Sequence, residues 1–185
     1  LEHVKLEMYN DNVFCFTPSG EVIKLPRGAT PLDFAYSIHT RIGDHCVGTE
    51  VDGKRVPLYT RLRNGQSVKI ITAKGQKPQI SWENMVLTGR AKSAIRRSIR
   101  HELRAANIRL GKEIARNAFE KVKKKVTERA LITAAKKIGE KTGDDVLAAL
   151  GGAELTGIEL IELIYPEMFK GKNLPEYRVD SISFI

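Results

Sequence analysis

One short segment of the 185-residue chain holds three side chains that could contact RNA. Residues 30–43 read T-P-L-D-F-A-Y-S-I-H-T-R-I-G and include Tyr36, His39 and Arg41. An imidazole can stack on a base and donate a hydrogen bond to a phosphate or a 2′-hydroxyl group. A tyrosine ring and a guanidinium group would add a stacking face and a positive charge. These residue types allow an RNA contact at His39, but they equally allow a packing role at the edge of an apolar stripe.

The same segment predicts a helix over Pro31–Ile42. Thr30 can cap the first free amides, proline suits the first helical position, and Asp33 places a carboxylate at the positive end of the helix. At 100° per residue the apolar side chains fall on one face, and His39 lies at the edge of that face. The apolar residues are Ala35, Ile38 and Ile42, flanked by Leu32 and Phe34.

A second set of candidates is positively charged. Residues 88–137 contain 16 basic and 4 acidic residues, a net charge of +12, while the whole chain carries +9. Such a field attracts polyanions, most often nucleic acid, although a charge run can also be a solvated helix face. A second basic run lies at residues 121–125. The residues of the first run, which we interpret as RNA contacts, are Arg90, Lys92, Arg96, Arg97 and Arg100.

The first third of the chain predicts a small sheet beneath the helix. Aromatic and β-branched residues in alternating patterns indicate strands, and Asp52-Gly53 and Asn64-Gly65 indicate turns. With the helix, the element order is β-β-α-β-β-β, a ubiquitin-like β-grasp arrangement. The predicted strands are Val13–Thr17, Glu21–Leu25, Cys46–Val51, Lys54–Leu58 and Ser67–Thr72.

From residue 79 onward the apolar residues recur with helical period. One stripe is Ala91, Ile95, Ile99 and Leu103, and a second is Ile114, Ala118, Val122 and Val126. Shorter helices are predicted at Leu131–Ile138, Asp144–Leu150 and Ile158–Tyr165. The sequence therefore predicts an α+β fold. Its parts are a β-grasp domain at 9–74, a linker at 75–79, an all-α domain at 80–170, and a linker or the start of a next module at 171–185.

Composition and motifs exclude several classes of function. The sequence contains no run of about 18 apolar residues, so no transmembrane span is predicted. Two cysteines favour a reducing, cytoplasmic compartment. No phosphate-binding loop or dinucleotide fingerprint occurs, and His39, His45 and Cys46 fit no common zinc spacing. We expect no cofactor, no metal and no active site. Because the chain begins with leucine, we interpret it as a piece of a longer protein.

Two stretches resemble a known family. V-F-C-F-T-P-S-G-E-V-I-K-L-P-R-G-A-T-P-L-D-F-A-Y-S-I-H-T at Val13–Thr40, with N-G-Q-S-V-K-I-I-T at Asn64–Thr72, resembles the TGS domain of RelA/SpoT-family proteins. These are the bifunctional (p)ppGpp synthetase/hydrolases of the bacterial stringent response. W-E-N-M-V-L-T-G-R-A-K-S-A-I-R-R at Trp82–Arg97 resembles the start of the helical domain that follows TGS in this family.

The resemblance implies a regulatory and non-catalytic role. In the family the catalytic domains lie in the N-terminal half, and the metal-binding His-Asp doublet of the hydrolase does not occur in this chain. The TGS domain is similar to modules that contact the CCA end of uncharged tRNA on a starved ribosome, and His39 holds the family position for that contact. Tyr36 and Arg41 would assist it, and the helical domain would lie against tRNA and ribosomal RNA.

Two alternatives remain open at this stage. In some family members the TGS domain binds acyl carrier protein, an acidic partner that charge alone does not distinguish from RNA. The fragment could also clamp the catalytic half of its own parent enzyme. The sequence departs from the family at Gly43-Asp44-His45-Cys46, where the family commonly has G-H-R-C, so we assign no role to His45.

Overall fold

The computed structural model describes residues 11–170. Within these residues the chain divides between His101 and Glu102 into two compact units. The predicted linker or start of a next module at 171–185 lies outside the described residues. Within residues 11–170 no helix is both long and apolar enough to cross a membrane.

The first unit contains the five strands of a β-grasp, in one two-stranded and one three-stranded sheet. Strands β1 (Asn12–Phe16) and β2 (Val22–Pro26) form an antiparallel hairpin, and β3 (Cys46–Val51) pairs antiparallel with both β4 (Lys54–Val56) and β5 (Val68–Thr72). A parallel bridge between Phe16 and Ser67 joins the two groups of strands. The predicted α+β class with an N-terminal β-grasp is confirmed.

The turn between β3 and β4 follows directly from the sequence. Asp52 and Gly53 have φ angles of 51° and 81°. Two successive residues with positive φ form the turn whose twist matches that of a β-hairpin, and an Asp-Gly pair tolerates it best. The Asp52 carboxylate also accepts a hydrogen bond of 2.9 Å from the Ser67 amide, which ties the turn to the strand beside it.

The predicted continuous helix is wrong, because it breaks at His39. Helix α1 is Pro31–Ile38 and α2 is Thr40–Asp44, and between them His39 is extended with φ −165° and ψ 143°. The side chain of His39 stabilises the break by accepting a hydrogen bond from the Arg41 amide. Ile38, the last residue of α1 and a member of the expected apolar stripe, is 38% exposed.

The first turns of the next helix pack on the β-grasp domain. A 3-10 helix at Ile80–Met85 precedes the long helix α3, Gly89–Lys121. The stripe predicted from helical period is buried at Ala91 and Ile95, but Leu103 is 60% exposed and was wrongly included. The apolar cluster at this junction contains Leu32, Tyr36, Cys46, Trp82, Val86, Ala91, Ala94 and Ile95.

A buried carboxylate ties α1 to the start of α3. Asp33 is fully buried and forms a capping box with Thr30, whose amide lies 3.0 Å from Asp33 Oδ2. Across the domain, the amides of Leu87 and Thr88 donate to the same carboxylate at 3.0 and 2.9 Å, and the Thr88 hydroxyl donates at 2.9 Å. Thr88 in turn accepts from the Ala91 amide. Asp33 thus closes the N-termini of two helices at once.

The second unit is a small helical bundle. The later turns of α3 pack with α4 (Glu128–Lys137), α5 (Gly143–Gly151) and α6 (Gly157–Ile164), and Pro166–Phe169 forms a last 3-10 helix. The capping box predicted at Thr156 and Glu159 is present. A second one joins Thr142 and Asp145. Phe119, Leu131 and Leu160 lie at the core.

The second apolar stripe ends earlier than predicted. Helix α3 stops at Lys121, so Val122 and Val126 do not extend it. Lys123 has a φ of 58°, and its amide donates to the Glu120 carbonyl, while the Lys124 amide donates to the Phe119 carbonyl. These bonds form the Schellman motif that closes many helices. The motif usually has glycine at this position. Because Lys123 occupies it here, the sequence did not indicate that the helix ends at Lys121.

Candidate nucleic-acid interface

A shallow groove of about 450 Å³ lies where α2 meets the end of β5. It contains His39 and Arg41 of the predicted site, the first at the break between α1 and α2 and the second within α2. It also contains Lys74, which follows β5 and is exposed. The remaining lining residues are Ile42, His45, Thr72 and Ala73.

Hydrogen bonding fixes which nitrogen of the neutral His39 ring carries the proton. His39 is exposed, and its Nδ1 accepts a hydrogen bond of 3.0 Å from the Arg41 amide. An amide can only donate, so Nδ1 carries no proton and the neutral ring carries its proton on Nε2. His39 therefore presents a fixed N–H donor to a ligand in the groove.

His45 has the opposite arrangement. It is half-buried, and its Nδ1 lies 3.1 Å from the Gln76 carbonyl oxygen. A carbonyl can only accept, so Nδ1 donates the bond and Nε2 of the neutral ring is left as an acceptor. The groove thus combines one imidazole donor with one imidazole acceptor. The sequence analysis assigned His45 no role, because the family motif places its histidine one residue earlier.

Tyr36 does not belong to the interface, and its predicted stacking role is wrong. The side chain is fully buried, and its hydroxyl donates a hydrogen bond of 2.8 Å to Asp44 Oδ1. Burial raises the pKa of the Tyr36 phenol, and the bonded carboxylate of Asp44 raises it further. The ring packs so closely on α2 that a Cβ atom at Gly43 would lie 2.3 Å from Tyr36 Cδ1. No ring face remains for a base.

Arg41 and Lys74 supply positive charge at the groove. Both are exposed, and neither forms an ion pair with any residue in the 11–170 range. Guanidinium and ammonium groups in this position can contact phosphate oxygens. The sequence analysis did not single out Lys74, which is the last residue of the predicted β-grasp domain.

The first basic run lies on α3, in the part of the chain where the sequence predicts a helix. Arg90, Arg96, Arg97 and Arg100 are exposed, and Lys92 is half-buried. Lys92, Arg96 and Arg100 follow one another at four-residue steps, so they share one row of the helix surface. Arg96 is paired with Glu83, which leaves the other cations of this run to meet a polyanion.

Comparisons with known proteins match both parts of the chain. Residues 13–72 match the TGS domain family, and residues 98–165 match the RelA/SpoT AH domain family. The GTP pyrophosphokinase rsh of Brucella ovis is 47% identical over 167 residues, which cover 90% of this chain. The GTP pyrophosphokinase of Myxococcus xanthus is 38% identical over 171 residues, again 90% of the chain.

A relative that is named for a different activity also matches. The guanosine-3′,5′-bis(diphosphate) 3′-pyrophosphohydrolase of Vibrio cholerae is 39% identical over 161 residues, or 85% of the chain. The matched region is only 22% of the Brucella protein and 23% of the other two. The chain therefore spans about a quarter of the length of these relatives, and it corresponds to their TGS and AH region.

Proposed function

Because the chain belongs to the RelA/SpoT family, we propose that it is the regulatory, non-catalytic part of a (p)ppGpp synthetase/hydrolase. In this proposal the groove around His39 binds the CCA end of uncharged tRNA on the ribosome. Binding there controls the distant catalytic domains during the stringent response. The protein would act in the cytoplasm, with tRNA, ribosomal RNA and its own catalytic half as partners.

The observation that supports this function best is the fixed donor on His39. Because the Arg41 amide bonds to Nδ1, the neutral imidazole carries its proton on Nε2 and can donate it to a ligand in the groove, which also contains a second imidazole and two cations. Recognition of single-stranded RNA ends uses hydrogen bonds to ribose hydroxyls together with phosphate contacts. A donor at His39, an acceptor at His45 and positive charges at Arg41 and Lys74 suit a terminal ribose and its phosphate.

The same chemistry suggests how a charged tRNA is rejected. A free 3′ end carries two neighbouring ribose hydroxyls, which can both donate and accept hydrogen bonds. Aminoacylation converts one hydroxyl to an ester, which removes its proton and adds the bulk of an amino acid. A groove that accepts from a hydroxyl at His45 Nε2 would lose that bond and leave a polar group unpaired, which costs affinity.

The basic face of α3 would position the RNA without reading its sequence. Arg90, Lys92, Arg97 and Arg100 can contact phosphates, and such contacts set orientation and carry most of the salt dependence. The Asp33 bonds place this helix at a fixed position relative to α1 within the first unit. We infer that occupation of the groove and the position of α3 are mechanically linked.

Three forms of one tRNA test the proposal. Affinity for the chain is measured with a free CCA end, with an aminoacylated end and with the CCA removed, at constant salt. We expect the free end to bind most tightly, and His39→Ala to remove the difference without unfolding the protein. His101→Ala is the matched control, since His101 is an exposed histidine outside the groove. Equal binding of all three tRNA forms would contradict the proposal.

Three further measurements test the basic face of α3 and separate the alternatives. Arg97→Ala should weaken all tRNA forms evenly and reduce the salt dependence of binding. Acyl carrier protein is then added as a competitor. If it binds and His39→Ala abolishes that binding while tRNA discrimination is absent, the groove serves a protein partner. A complex with the purified catalytic half alone would instead favour the intramolecular clamp.

A further inference from the structure

The face of the β-grasp sheet that points away from α1 carries aromatic side chains. Side chains alternate along a strand, and Val13 and Cys15 of β1 point into the core. Phe14 and Phe16 therefore point to the opposite face. Phe14 is 41% exposed and Phe16 is half-buried, and neither belongs to the buried core clusters.

Positive side chains surround these two rings. Lys24 is directly opposite Phe14 in the antiparallel register of β1 and β2. Lys69 lies on β5, two residues after Ser67, the bridge partner of Phe16. Both lysines are exposed, so a cation lies beside the rings on each neighbouring strand.

Arg55 extends the positive charge across the sheet. Its guanidinium lies over Gly48, where an added Cβ atom would come within 2.6 Å of Arg55 Nη2. Glu50 is opposite Arg55 on β4 and opposite Lys69 on β5. The Glu50 carboxylate thus lies between two of the cations, Arg55 and Lys69. Lys24 lies on the other side, opposite Phe14, so the charge near the rings stays positive.

We propose that this outer sheet face, defined by Phe14, Phe16, Lys24, Arg55 and Lys69, binds single-stranded nucleic acid. Two residues of a strand span about 7 Å, so the rings offer two separate surfaces along one strand. Exposed aromatic rings on a sheet stack unpaired bases, and flanking cations hold the phosphates. The bases of a duplex are already stacked and cannot lie flat on such rings.

The outer sheet face is separate from the groove. The groove is formed by residues 39–45 and 72–74, none of which defines the outer sheet face. The inference therefore goes beyond the proposed function. One surface would take a specific RNA end, and the other would take an unpaired strand with little preference for sequence.

The test uses a fluorescein-labelled oligouridylate of about twelve nucleotides, a length within the usual range for such sites. Its fluorescence anisotropy is titrated with the 185-residue chain. Phe14→Ala should weaken binding by about 5- to 150-fold, the loss expected for one stacked base. Phe14→Tyr should retain binding, because it keeps the ring, whereas Phe14→Leu should not. The matched control is Val47→Ala, because Val47 is an equally exposed apolar residue at 41%.

Several results would overturn the inference. An abasic ribose-phosphate strand of the same length that binds as tightly would show that charge alone is responsible. Full affinity in Phe14→Leu would show that an apolar surface, suited to a protein partner, is sufficient. His39→Ala should leave the oligouridylate affinity unchanged. If His39→Ala weakens it and Phe14→Ala does not, the strand binds in the groove, and the proposed function survives without this second site.

Discussion

Replacing Asp33 with asparagine is expected to loosen α3 from the β-grasp domain. The change is nearly isosteric, so it leaves the packing intact and alters only hydrogen bonding. In the native protein Oδ2 accepts from the amides of Thr30 and Leu87, and Oδ1 accepts from the amide and hydroxyl of Thr88. In asparagine one of these oxygens becomes an NH2 group, which faces donors and cannot accept from them.

The size of the effect follows from the number of bonds lost. The Leu87 amide lies 3.1 Å from Oδ1 as well as 3.0 Å from Oδ2, so it keeps an acceptor in either orientation of the asparagine. The Thr88 hydroxyl can turn to accept from the new NH2 group. One amide therefore loses its acceptor, either that of Thr30 or that of Thr88, and a hydrogen bond to a charged group is worth about 1.5–3 kcal/mol. The expected loss is about 1.5–3 kcal/mol in the free energy of unfolding, against the roughly 5–15 kcal/mol that typically stabilises a domain. Asp52→Asn is the matched control, since the structure records a single side-chain bond, from the Ser67 amide, to that carboxylate.

Trp82 makes this prediction simple to measure. It is the only tryptophan of the chain, and it is 3% exposed within the cluster that joins α1 to α3. Urea unfolding is followed by its fluorescence in the native protein, Asp33→Asn and Asp52→Asn. Hydrogen exchange at residues 86–101 should accelerate in Asp33→Asn. If the free energy of unfolding falls by less than about 1 kcal/mol and hydrogen exchange is unaltered, Asp33 does not hold α3 to the β-grasp domain.

Three other expectations concern stability and reactivity. Lys123→Gly should stabilise the second unit by about 0.5–1 kcal/mol, because glycine adopts a φ of 58° without strain; Lys123→Ala should give no gain in thermal unfolding. Arg104 and the Thr142 cap lower the pKa of Asp145 to about 2, below its usual value near 4. That carboxylate therefore stabilises the fold above about pH 4 and ceases to do so as the pH falls towards 2. Acid unfolding should accordingly begin at higher pH in Arg104→Ala, and an unchanged acid transition would argue against the bond. Burial raises the pKa of both the Cys15 and Cys46 thiols, so iodoacetamide at pH 8 should label them only when urea unfolds the first unit, as mass spectrometry would show.

The sequence predicted those elements whose ends are marked locally. The Asp52-Gly53 turn and the cap at Thr156 lie in residues next to the structure they determine, and both are present. The break at His39 was not predicted, because no glycine or proline marks it and a histidine side chain acts as the cap. The end of α3 at the Schellman motif was also not predicted, because Lys123 stands where such a motif usually has glycine.

Long-range contacts explain the remaining differences. Asp33 was predicted only as a local cap of α1, while its bonds to Leu87 and Thr88 join residues more than fifty positions apart. Tyr36 shows the same limit at the site. Its spacing from His39 suggested a shared surface, but the break after Ile38 separates them and places the ring in the core. A spacing argument assumes a continuous helix, and it fails where the helix ends.

The most direct test of the proposed function is the ratio of two dissociation constants, for one tRNA with and without its 3′ CCA, in the native chain and in His39→Ala. Loss of one or two hydrogen bonds to the bound RNA end corresponds to roughly 5- to 100-fold in affinity. We predict a ratio of that size in the native chain and a ratio near one in His39→Ala, with Trp82 fluorescence unchanged. The same ratio in both proteins would show that the groove around His39 does not read the CCA end.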